Sequence, residues 1–140
     1  MNDPSDAPLP SRSLSIALWV VQGLLALTFA GGALWKLLTP IPDVAARFPW
    51  AGQVSPSFLY LTALVDLAGG LGVLLPSLTR IQPRLTVLAA LGCAALMVCA
   101  IVFHVSRGEA ASTPFNVVML ALSLLVAWGR EKRAPIAPRG

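Results

Sequence analysis

The chain has 140 residues, 56% of them hydrophobic and only 11% charged, with a formal net charge of +4, a pI near 9.8 and a mean hydropathy of +0.77. A soluble domain carries about 25% charged residues, so this composition excludes an ordinary soluble fold and argues against intrinsic disorder and nucleic-acid binding. Four apolar runs, residues 14–35, 57–75, 85–105 and 115–129, hold a single formally charged side chain between them, Asp66.

Residues 1–13 combine Asp3, Asp6 and three prolines with one basic residue. This is not the basic start of a secretory signal, and the apolar run behind it is too long for a signal core. A disordered cytoplasmic N-terminus leading into an uncleaved helix over about 14–38 is expected. Residues 39–56 form the longest connection and carry Pro40, Pro42, Pro49 and Pro56 beside Val44, Phe48 and Trp50. Two readings stand: an amphipathic turn anchored at the interface, where tryptophan commonly sits, or a lid over an outward pocket.

The second span, about 57–75, carries Asp66 at its middle. A central aspartate costs about 2.5–3.5 kcal/mol on insertion scales, which the leucines of the same span offset. Gly69 and Gly70 follow by three and four residues and share its helical face, so the carboxylate faces inward beside a groove. It is either a hydrogen-bonded structural group or a functional one. Small residues (Gly23, Ala26, Ala30, Gly31 and Gly32 in the first span, Ala68, Gly69, Gly70 and Gly72 in the second) mark faces where helices approach closely.

The short basic loop 76–84 sets up an antiparallel hairpin with the third span, about 85–105. This span contains both cysteines, Cys93 and Cys99, six residues apart. That spacing turns them to different faces, so they remain free thiols and small apolar core residues. The fourth apolar run reaches spanning length, about 112–130, if Ser112 caps it and Arg130 snorkels at its end. Residues 131–140 make a basic cytoplasmic tail, disordered from residue 134.

The fold class expected is all-α: an integral membrane four-helix antiparallel bundle over residues 14–130, in contact with the lipid bilayer. Seven basic residues fall on the side of the termini and the middle loop, against three on the other, which places both termini in the cytoplasm of a multi-pass cell-membrane protein. Lys36, His104 and Asn116 then close or open their helices at the outer side, with Asp66 about 14 Å deeper by helical rise. These four are the candidate ligand-binding residues of one outward polar pocket. The depth argues against a direct Lys36–Asp66 salt bridge and for water or a ligand between them. One histidine and one distant acid are too few for a metal site.

Gly32-Ala-Leu-Trp-Lys36-Leu37, Asp66-Leu-Ala-Gly-Gly-Leu-Gly-Val-Leu-Leu-Pro76, Phe103-His104 and Asn116 ahead of Ala127-Trp128-Gly129-Arg130 resemble, in order and spacing, the DoxX-like family. The resemblance covers about residues 14–130 and implies a four-helix membrane protein. Some members of that family are subunits of quinone-linked oxidoreductases, notably the small subunit of thiosulfate:quinone oxidoreductase; more distant ones act in membrane-protein assembly or trafficking. Family members commonly carry an acid at this place in helix two, often glutamate, whereas Asp66 is shorter. The expectation is a redox accessory subunit or enzyme acting on a lipophilic ligand such as a quinone. The alternative is a non-catalytic assembly or binding subunit, with a membrane-protein partner or a homo-oligomer. The residues leave open whether the chain is itself catalytic.

Overall fold

The computed structural model describes residues 11–139. Four long helices dominate it: α1 (Arg12–Leu38), α3 (Pro56–Thr79), α4 (Arg84–Ser106) and α5 (Ala110–Arg133), with a short α2 (Ile41–Arg47) in the first connection. Each long helix has the length and apolarity to cross a membrane, since roughly 20 residues suffice. The described chain contains no strand.

Local chemistry sets the helix ends. The Ser11 hydroxyl accepts from Leu14 N–H and the Ser55 hydroxyl from Phe58 N–H, each capping a free donor, and Pro56 follows at the first helical position of α3. Most of the expected N-terminal disorder lies outside the described residues; Arg12 and Ser13 are already helical. Ser112 makes no capping bond; a tight turn at Ala110–Ser112 begins α5 instead, and the helix runs on to Arg133. α3 continues through Pro76 to Thr79. Pro76 forgoes its own bond to the Gly72 carbonyl in the preceding turn, and the Thr79 hydroxyl donates to the Leu75 carbonyl. Two stretches widen to five-residue turns, Leu27–Gly31 in α1 and Gly129–Arg133 in α5.

α1 packs on α3 and α5, and α4 packs on the same two, so the four helices close a ring. Its core is Leu25, Phe29, Val73, Ala90, Cys93, Met97, Met119, Val126 and Ala127. Large apolar side chains such as Leu27, Leu38, Leu61 and Val102 face outward, as a lipid-embedded surface requires.

The register between α1 and α3 positions everything that follows. A Cβ added to Gly70 would lie 2.6 Å from the Ala30 backbone nitrogen, so these two helices touch main chain to main chain there. Counting from that contact, Lys36 comes level with Leu64 and the end of α1 with Thr62. α3 therefore runs on for about six residues, roughly 9 Å, past the end of α1. A second small core of Val44, Ala51 and Leu59 fills the step, with Ile41, Trp50 and Val54 around it. The connection is thus a folded cap, docked by the buried Val44 of α2.

Candidate functional site

Lys36 Nζ donates to Asp66 Oδ2 at 2.7 Å, with the two side chains only 14% and 16% exposed. The expected separation of about 14 Å by helical rise does not hold. It assumed that helix ends on one side are level, and α3 overshoots α1. In the actual register Lys36 sits about two residues, roughly 3 Å, above Asp66, well within the reach of a lysine stem. Close approach at Gly70, one turn below Asp66, brings the two helices near enough for the pair to form.

Among the described residues no direct hydrogen bond joins the other two candidates, His104 and Asn116, to this pair. His104 occupies the last turn of α4. There Gly108, at φ +74°, reverses the chain, with Glu109 N–H on the His104 carbonyl and Gly108 N–H on that of Val105, a glycine-terminated helix end. The reversal folds Glu109 back so that its carboxylate meets His104 Nδ1 at 2.7 Å and Arg107 Nε at 3.0 Å. The hydrogen bond with His104, followed by that of Arg107, holds the Glu109 carboxyl below its ordinary value. Arg107 also donates to Gln53 of the cap, and Trp50 sets its ring edge-on to Phe103 and His104. His104 therefore latches the cap to the α4–α5 turn. Asn116 is buried in α5, and its Nδ2 has no hydrogen-bond partner among the described residues.

A groove of about 260 Å³ lies between α3 and α4, lined by Val65, Ala68, Gly69, Gly92, Cys93 and Leu96; Lys36 and Asp66 are not among its lining residues. Gly69 and Gly72 are needed there, since a Cβ on either would stand 2.8 Å from Cys93 Sγ or Ala89 Cβ, whereas Gly92 faces open space. Cys93 lies in the core, but Cys99 is exposed rather than packed inside.

A second polar group, at the end of the bundle where α1 begins and α5 finishes, was not anticipated. Gln22 Nε2 donates to the Val73 carbonyl at 2.8 Å and to Ser77 Oγ at 3.1 Å, and the Ser77 and Thr86 hydroxyls hydrogen-bond to each other at 2.8 Å. Arg130 Nε donates to Gln22 Oε1 at 2.7 Å, and Nη1 to the Ala134 carbonyl at 2.9 Å. Arg130 does not snorkel: it is 4% exposed, and its guanidinium lies 5.0 Å over the Trp19 ring. The signal was a lone glutamine inside an apolar run, one helical register away from Ser77 on the facing helix. The tail is ordered too, since Arg80 donates to the carbonyls of Ala137 and Pro138 and accepts, through its own carbonyl, from Arg139 N–H.

The model of the DoxX-like family matches residues 20–126, most of the chain and all four of the candidate residues at the first site. No curated protein and no solved structure matches it.

Proposed function

We propose that this chain, which belongs to the DoxX-like family, holds a lipophilic ligand of the quinone type at the Lys36–Asp66 pair, as a redox accessory subunit or enzyme of the membrane. The observation that carries this is the pair itself: an ammonium and a carboxylate at 2.7 Å, set within two membrane-spanning helices and still partly accessible. Ionisable groups at such depth are costly and mark ligand or ion sites by default. Lys36 is the hydrogen-bond donor assigned to a carbonyl oxygen of the ligand, and Asp66 keeps that donor charged and aimed. The groove beside Val65 suits an apolar chain, and Gly92 leaves it open. His104 and Asn116 belong to the same proposed pocket at its rim and wall, Asn116 through its unpartnered Nδ2. Both termini lie in the cytoplasm by the distribution of basic residues.

The test is purification in mild detergent, extraction and mass spectrometry for quinones, then titration with a short-chain benzoquinone. Bound quinone, with affinity lost in Asp66→Asn and in Gly92→Leu, is the expected result. An extract without quinone, together with titrations unchanged by either substitution, overturns the reading. A stable co-purifying membrane protein and full tolerance of Asp66→Asn would instead establish the non-catalytic assembly subunit.

A further inference from the structure

Arg130 is a buried cation without a buried anion. Among the described residues no carboxylate lies within ion-pair distance of it; its partners are the neutral oxygens of Gln22, Ser15 and Ala134, and its Nη2 is enclosed with no partner. A guanidinium taken out of water without a counter-charge is expensive, and the Trp19 face compensates only part of that. Arg130 also lines a cavity of about 210 Å³ together with Arg84, Glu131, Pro83, Pro135 and Ile136. Among the described residues Glu131 makes no ion pair with either arginine, so the cavity sets two cations beside one carboxylate that is in direct contact with neither. The tail that walls it is pinned by Arg80, and five-residue turns such as Gly129–Arg133, which presents Arg130, occur frequently at functional sites.

We infer that this cavity, at the end of the bundle opposite the α2 cap, binds an anionic phosphate group between Arg84 and Arg130. The planar Arg84 fork matches phosphate oxygens, Nη2 is the Arg130 nitrogen left without a partner, and the charge-assisted bonds supply the missing counter-charge. The site stands independently of the quinone reading: it shares no residue with it, and Arg84 sits at the exposed mouth where its loss does not disturb the Gln22 network. Two sources offer this chemistry, a phospholipid headgroup and a free phosphate ion.

Thermal unfolding of the full chain in neutral maltoside detergent, titrated separately with phosphatidylglycerol, phosphatidylcholine and inorganic phosphate, tests it. Phosphatidylglycerol should raise the unfolding midpoint saturably, with half-saturation shifted roughly tenfold higher in Arg84→Gln, the loss of about one charged hydrogen bond. Lys132→Gln, which removes the same charge outside the cavity, should titrate as the unaltered protein does. Stabilisation by phosphatidylglycerol alone assigns the site to a lipid headgroup; stabilisation by inorganic phosphate as well assigns it to the phosphate group itself. Equal shifts in Arg84→Gln and Lys132→Gln would reduce the effect to general surface attraction and overturn the site, as would the absence of any saturable stabilisation.

Discussion

The two polar groups of this bundle solve opposite problems. Lys36 and Asp66 are opposite charges in direct contact, close to the end of α1, and partly accessible. Arg130 is a single charge held by neutral oxygens and sealed against an indole. If its partner is lost, Lys36 can extend along its own stem towards the interface. Arg130 has no such exit, because Ala134, Gln22 and Trp19 close around it. A charge that has an escape route survives the loss of its partner, whereas one without it must be satisfied where it stands, by the oxygens of the bundle or by a bound anion, for the bundle to hold.

This contrast orders the expected effects of substitution. Gln22→Leu should be the most damaging: it strips Arg130 of its Nε acceptor and Ser77 of its donor inside the bundle, at about 3 kcal/mol, read as the unfolding free energy in detergent. A loss below that of the Lys36–Asp66 variants would erase the distinction. Gly70→Ala should follow at about 2 kcal/mol, because the new methyl meets the Ala30 backbone rather than a movable side chain. It loosens the α1–α3 contact on which both groups depend, so a change confined to one end would show that their registers are independent. Asp66→Asn should cost only about 1 kcal/mol, since Lys36 is released rather than stranded. A double-mutant cycle with Lys36→Met measures that coupling directly.

The smallest effect belongs to the latch at Glu109. Its carboxyl is held below the ordinary value of 4.5 by His104 and then Arg107. A lowered folded-state value means that the contribution is complete above the unfolded value and is lost as pH falls through the folded one. Amide exchange in the cap, taken relative to the intrinsic rate at each pH, should therefore be flat from neutrality down to about pH 5, then rise under more acidic conditions. In Glu109→Gln that rise should be missing, while exchange around Gln22 stays unchanged in both proteins.

Spans and the packing face of α3 were legible because lipid demands long apolar helices and small residues at their contacts, whereas in α1 Gly23 and Gly32 face open space and Gly31 meets only Leu27 of its own helix, the close approach being made at Ala30. Asp66 was legible for the same reason: one acid in an apolar run has no inconspicuous explanation. What the sequence hid was register. Nothing in residues 39–55 announces that α3 overshoots α1, yet that offset converts a predicted gap between Lys36 and Asp66 into a contact. The network around Gln22 was hidden differently. Glutamine, serine and threonine are individually unremarked in a membrane helix, and only the Ala30–Gly70 contact shows that Gln22 and Ser77 share a level. Arg130 was misread because a basic residue at a helix end normally extends to water, and here the continuing helical turn and the tail enclose it.

The ion pair also bears on how the chain enters the membrane. Its members lie on consecutive spans, 30 residues apart, and Lys36 leaves the ribosome first. When the aspartate follows, at an isolated insertion cost of about 2.5–3.5 kcal/mol, its counter-ion is already waiting in the preceding segment. α1, the cap and α3 thus amount to a hairpin that partitions with its charges cancelled, before the second half of the protein has been synthesised.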